Sequence, residues 1–197
     1  MNGVFERGKN RQNKAEAQAI IEELKRRCHD EELSKLSVGV VTFNINQQNL
    51  IDDLLSEACR EDTALEAWAF QSAEPLFIKN LENVQGDERD VILFSVGYGP
   101  DEKGKVYMNF GPLNRDGGWR RLNVAITRSR QEMVVFATLK PEQIDLGRTT
   151  AEGVSALKAF LEYADRGILP QTGTGTKQHL TEGNLKKPKV SEAELMP

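Results

Sequence analysis

DVILFSVGYGPDEKGKV, residues 90–106, is the stretch on which the reading of the fold turns. Its first part is the most apolar strand pattern in the chain, of the kind found where a strand is covered on both faces. Its second part places Gly99, Gly104 and Lys105 at G-x-x-x-x-G-K, the start of a phosphate-cradling loop. Such a loop needs Ser or Thr after the Lys to hold magnesium, and a helix whose first N–H groups face the phosphates. Here Val106 follows, and VYMNF favours an extended piece over a helix. Asp101 and Glu102 would also put carboxylates inside a loop meant for a polyanion. The stretch therefore reads as a buried strand followed by a Gly/Pro/Asp turn. GTGTK at 173–177 has no strand before it, and Asp87-Glu88 precedes the apolar strand where a Walker B pair would end one.

Outward from this strand, helical and extended patterns alternate. Ala17, Ile20, Ile21 and Leu24 make an i, i+3, i+4, i+7 stripe that predicts a helix from about Lys14 to Arg27. SVGVVTF reads as a buried strand, and Leu50, Ile51, Leu54, Leu55 and Ala58 as the apolar face of a second helix. EPLFIKN follows as a short strand; beyond the central stretch come a helix in WRRLNVAITRSR, a strand in EMVVFATL and a helix from Thr150 to Tyr163. Strands alternating with helices imply an α/β fold with a mostly parallel sheet and crossover helices. One domain over 1–167 is expected, with 168–197, polar and rich in Gly, Thr and Lys, as a linker or tail.

The chain's 197 residues are 39% hydrophobic, enough to bury a substantial core. Its 26 basic and 30 acidic residues leave a net charge of −4, which argues against coating nucleic acid or membrane by bulk charge. Cys28 and Cys59 match no metal or redox spacing, and no metal site is expected. No apolar run approaches the roughly 20 residues that cross a bilayer. The first residues lack a signal peptide's apolar segment, so a cytoplasmic protein without membrane contact is expected.

Chemistry concentrates on either side of the central stretch, in NVQGDERDVIL (83–93) and GGWRRLNVAITRSRQ (117–131). Arg115, Arg120, Arg121, Arg128 and Arg130 fall close together with one acid, Asp116, among them. On a continuous helix Arg121 and Arg128 would share nearly one face, roughly 10 Å apart along the axis. In an α/β sheet ligands gather outside the carboxyl ends of the strands, and guanidinium groups presented there can reach a phosphate; the plainer reading is a solvated basic face.

At this point the chain resembles a known family, the second RecA-like motor domain of superfamily 1 helicases, of the type that includes the nonsense-mediated-decay helicase and bacterial relatives. NRQNKAEAQAI resembles the family's opening helix, VGVVTFNINQQNLI its motif IV, NVQGDERDVILFS its motif V and RRLNVAITRSR its motif VI, in the family's order over residues 10–165. The resemblance implies a RecA-like three-layer fold with helices on both faces of the sheet. It makes Arg128 the arginine finger toward the γ-phosphate of ATP, with Arg121 a second phosphate or sensor arginine. In motif V it implies close backbone approach at Gly86, a ribose contact for Glu88, and a link from the ATP site to the nucleic-acid track for Gln85. Glu88 can equally be an exposed turn acid. Thr42, Asn44 and Gln47 of motif IV would touch nucleic acid, although a Thr or Asn there serves equally as a helix cap.

Two departures stand out. Relatives carry Arg where Lys14 stands, so a point charge replaces a fork of donors at an implied nucleotide contact, and Arg11 is a candidate substitute. Asn83 replaces a Ser or Thr that contacts nucleic-acid phosphate, a role its amide can still fill. The Walker A and B elements, which in this family hold ATP and Mg2+ on the first motor domain, are absent from these residues. The resemblance thus implies the second half of an ATP-driven helicase or translocase acting on single-stranded nucleic acid, DNA in preference to RNA, with the first RecA-like domain as partner. By itself this half would hydrolyse nothing, and the direction implied is five-prime to three-prime. The alternative is a RecA-like module that binds nucleic acid or a protein without hydrolysis. No aromatic platform for stacked bases is visible in the sequence.

Overall fold

The computed structural model describes residues 3–6 and 10–166. Among the described residues, five α-helices and four strands run in the order α1 (Lys14–His29), β1 (Val38–Thr42), α2 (Ile45–Glu61), α3 (Thr63–Phe70), β2 (Phe77–Asn80), β3 (Arg89–Ser95), α4 (Gly118–Ile126), β4 (Ser129–Phe136) and α5 (Glu152–Arg166). The strands form one sheet in the order β2-β1-β3-β4, every neighbouring pair parallel.

Side chains of a strand alternate between faces, and that alternation builds two cores. Val38 and Val40 of β1, Val91 and Leu93 of β3, and Val134 and Phe136 of β4 face α1, α2 and α3. Val41, Ile92, Phe94 and Met133 face the other way, against α4 and α5. This three-layer α/β arrangement, helices on both faces of a parallel sheet, is the fold class expected of the sequence. Each fully buried Ile, Leu or Phe of these seams contributes roughly 1.5–3 kcal/mol.

Local chemistry fixes the helix ends. Asn13 caps α1 by accepting from Glu16 N, Asn44 caps α2 by accepting from Gln47 N, and Asp62 caps α3 through Ala64 N and Leu65 N. Asp62 both ends α2 and starts α3, a short helix before β2 that the sequence reading did not give. VYMNF forms no strand; it runs irregularly toward a short 3-10 turn, Gly111–Asn114. The predicted tail, 168–197, lies outside the described residues. No helix among the described residues is long and apolar enough to cross a membrane.

Gly118, the first residue of α4, packs against the backbone of Leu113: a Cβ there would lie 2.6 Å from the Leu113 carbonyl oxygen. Gly118→Ala is therefore expected to shift α4 and cost roughly 2 kcal/mol, read by urea unfolding. An unchanged midpoint would mean that the turn yields freely.

Candidate functional site

The two ends of the parallel sheet carry different chemistry, separated by the length of β3, roughly 20 Å for seven residues. The arginine finger candidate is at the amino end, not outside the carboxyl ends of the strands as expected, because the helix that leads into β4 ends where that strand begins: Glu88 and Arg128 stand immediately before β3 and β4, whose first residues pair, Arg89 with Ser129. Arg128 Nη1 lies 3.5 Å from Glu88 Oε1, with the arginine side chain 19% exposed and the glutamate 53%.

Arg128 is off the helix. α4 stops at Ile126, and Thr127 is its C-cap. The expected shared face with Arg121 is therefore replaced by a different geometry: Arg128 Nε donates to Val124 O at 2.9 Å and Nη2 to Thr127 Oγ1 at 3.0 Å. A guanidinium at a helix C-terminus answers both the free carbonyls and the negative end of the dipole, which holds the group in one place. Arg121 is half-buried within α4, and its side chain makes no hydrogen bond or ion pair among the described residues.

The other arginines are engaged. Arg130 pairs with Glu74 and, at 3.1 Å, with Asp90, and Glu74 foremost raises its proton affinity. Arg115 lies 3.4 Å from Glu82, and Arg120 lies over the Trp119 ring at 5.3 Å. Between the pairs Arg89–Ser129 and Val91–Glu132 the register shifts by one, so β4 bulges at Arg130 and Gln131 opposite Asp90, whose carboxylate accepts from Ser37 N and Oγ.

Residues 81–88 run from the carboxyl end of β2 to the amino end of β3, passing across β1. Leu81 and Val84 anchor this crossover in the core, while Asn83, Gln85, Gly86 and Glu88 are exposed. Gly86 has φ +93, a conformation that L side chains rarely adopt. Lys79 pairs with Asp87 beneath the turn.

The carboxyl end is organised by a carboxylate that the sequence reading passed over. Glu16 is wholly buried and accepts from Gly97 N at 2.7 Å, Thr138 N at 2.9 Å, Ser95 Oγ at 3.0 Å, and Thr138 Oγ1 and Asn13 Nδ2 at 3.1 Å. Burial pushes its carboxyl up to about 7, against the hydrogen bonds from Gly97, Thr138 and Ser95 that pull it down. The sequence signal was present: an acid three residues after a capping Asn, the pattern of a capping box.

The same network accounts for two motif IV residues. Gln47 is fully buried; it accepts from Asn13 N and donates to Asn13 O and Ser95 Oγ. Thr42, also fully buried, donates to Asn44 O at 2.9 Å. Neither presents a surface to a ligand, and the structure gives both an internal role, because the β1–α2 turn folds their polar groups inward. Asn44 caps α2 yet borders a cavity of about 250 Å³ at this end of the sheet. Lys14, at the start of α1, also lies at the carboxyl end, paired with Glu6 at 3.2 Å. The structure does not bring it to Glu88 and Arg128, because a helix leading into a parallel strand begins at the strands' far end.

The G-x-x-x-x-G-K stretch is a closed turn. Asp101 accepts from the N–H groups of Lys103 and Lys105, both at 2.9 Å, so these amides are already occupied by a carboxylate. Those hydrogen bonds, Lys105 N first, hold Asp101 below the usual carboxylate range. No helix follows, and Lys105 Nζ lies 4.9 Å from the Tyr107 ring.

With this geometry in place, similarity to known proteins becomes informative. A family model described as AAA domain matches residues 3–140. The ATP-dependent helicase MG140 of Mycoplasma genitalium is 36% identical over 162 residues, covering 80% of this chain and 14% of the relative. Its homolog in Mycoplasma pneumoniae is 35% identical over 162 residues, again 80% of this chain and 14% of the relative. The chain thus spans a small part of the curated relatives it matches. By the extent of the family match, the chain belongs to this AAA-domain family, as a helicase-like α/β domain.

Proposed function

We propose that this chain is the second motor half of an ATP-dependent nucleic-acid helicase or translocase, of the superfamily 1 type. The observation that carries the reading is the meeting of Glu88 and Arg128 at the amino end of the sheet, since these residues match motifs V and VI, where the family's ribose acid and arginine finger stand. The relatives' description as ATP-dependent helicases supports the same reading.

In this reading ATP and Mg2+ are held mainly by a first RecA-like domain that closes on this one. Arg128 offers a rigid fork of donors to the γ-phosphate as charge builds in the transition state. Glu88 accepts from the ribose hydroxyls, Gly86 lets backbone approach, and Arg121 is a second cation two turns up α4. Single-stranded nucleic acid, DNA in preference to RNA, runs over the carboxyl end near Asn44, Lys14 and Asn83. The 81–88 crossover, with Gln85 at its middle, joins the two ends, so closure on nucleotide can be felt at the track.

A finger without the site it completes does no chemistry. The purified chain is expected to hydrolyse ATP no faster than buffer, while the protein that joins it to a first motor domain turns ATP over when single strands are added. Steady, magnesium-dependent turnover by the repurified chain alone would sink the reading.

A further inference from the structure

We propose that Arg130 is a positioning residue for Arg128: its guanidinium straps together the amino ends of the four strands and fixes the opening of β4, which sets where the finger stands. The inference rests on the reading of Arg128 as the finger, and adds a residue to which that reading gives no role.

Arg130 lies two residues beyond Arg128, in the bulged opening of β4. Every nitrogen of its guanidinium is used. Nε donates to Asp90 Oδ1 at 3.1 Å, Nη1 to Glu74 Oε1 at 3.1 Å, and Nη2 to Ser37 Oγ at 2.9 Å and to Glu74 Oε2. Glu74 leads into β2, Ser37 immediately precedes β1, and Asp90 is the second residue of β3, so one side chain reaches the amino ends of the three other strands. An isolated exposed ion pair is weak, but a bidentate fork within a network of several charges is the geometry in which such pairs hold a position. The partner registers it: the hydrogen bond from Arg130 is the foremost cause that holds the Glu74 carboxyl below the usual carboxylate range.

The bulge gives the strap its second anchor. Successive residues of a regular strand point to opposite faces. Here Arg130 and Gln131 both reach one oxygen, Asp90 Oδ1, with Gln131 Nε2 at 3.0 Å. Asp90 Oδ2 is fixed in turn by Ser37 N and Oγ. Just before the bulge, Arg128 O accepts from Arg89 N at 3.1 Å. The chain that carries the finger is therefore held by side chains at the point where the ladder between β3 and β4 is interrupted, as bulges beside active sites are. Arg130, with its donors on two carboxylates and a hydroxyl, acts through its neighbour and not on a phosphate.

In the whole chain, Arg130→Ala is expected to quicken amide hydrogen exchange at Arg89 on the order of tenfold, through local opening. Val96, bonded to Phe136 O just past the other end of β3, should exchange as before. Glu74→Gln, which changes no strand residue, is the second variant should Arg130→Ala not fold, with a smaller effect in the same direction. An Arg89 amide as protected as in wild type in both variants overturns the strap, and so does equal acceleration at Arg89 and Val96, which would be general destabilisation. In the protein that joins this chain to a first motor domain, both variants should lower kcat with KM for ATP unchanged. For Arg130→Ala the fall is on the order of 10- to 100-fold, as misplacement of a reacting group by about 1 Å brings. Arg128→Ala/Arg130→Ala should be no slower than Arg128→Ala alone, because a residue that acts through another adds nothing once the other is gone. Losses that multiply overturn the positioning role. A Glu74→Gln protein that keeps or gains turnover while Arg130→Ala loses it overturns it too, since Arg130 would then act on nucleotide itself. A response at the Arg89 amide with Arg128→Ala silent brings down the finger reading, and the positioning role with it, and leaves only the strap.

Discussion

Arg128→Ala, in the protein that joins this chain to a first motor domain, is expected to slow nucleic-acid-stimulated ATP turnover by about 100-fold or more while ATP binding stays within a few-fold of wild type. Arginine fingers contribute on the order of 10³ to 10⁵ in rate, so even a strongly discounted effect is plain in a steady-state assay. The size follows from how Arg128 is held: two hydrogen bonds at the end of α4 fix its position, at 19% side-chain exposure, before any ligand arrives. Arg128→Lys should recover little, because an ammonium lacks the fork. The same contacts tie the arginine to the helix end, so a melting curve must accompany the rate. Lys105→Ala is the contrast, since the amides around Lys105 are already closed on Asp101. Loss of nucleotide binding in Lys105→Ala with Arg128→Ala silent would reverse the assignment.

The second large effect is on stability. Glu16→Ala removes a carboxylate that satisfies the buried N–H groups of Gly97 and Thr138, and each orphaned amide costs roughly 1–3 kcal/mol. A loss of about 4 kcal/mol is expected in urea unfolding, a large share of the roughly 5–15 kcal/mol typical of a domain. The pH dependence has a definite sign. Folded Glu16 titrates at about 7, against an ordinary value of 4.5. Between those values the folded chain keeps a proton that the unfolded chain has released. Its contribution is therefore full below about pH 4.5 and lost as pH rises to about 7, a change on the order of 3 kcal/mol. The groups against Glu16 are Asn13, Ser95, Gly97 and Thr138, none of which titrates in this window. Asp52, also raised by burial, leaves a residual slope in any variant. Glu16→Gln should lose most of the decline between pH 5 and 8; parallel profiles for the two proteins would remove Glu16 as its source.

The elements themselves were legible. The α1 stripe, the buried runs of β1 and β3 and the helical spacing of α5 come from short-range periodicity, and each is set by residues within a few positions of one another. The rejection of the G-x-x-x-x-G-K loop was equally local, since Asp101 acts on amides two and four residues away. Glu88 and Arg128 were readable as residues of motifs V and VI, and the exposed position of Glu88 as that of a turn acid.

Only the tertiary structure decided what stands beside what. Lys14 falls at the opposite end of the sheet from Glu88 and Arg128, because strand direction, which no local pattern carries, sets where each helix begins. Arg128 leaves the helix because β4 must start at Ser129 to pair with Arg89. Thr42 and Gln47, polar and therefore open to a functional reading, are consumed by partners up to 48 residues away. Phe5, Tyr98, Tyr107 and Phe110, scattered along the chain, line one cavity. Sequence determines the elements because hydrophobic period and capping act over one or two turns; the site forms where elements meet, and those contacts depend on the strand order β2-β1-β3-β4, fixed only when both faces of the sheet are buried together.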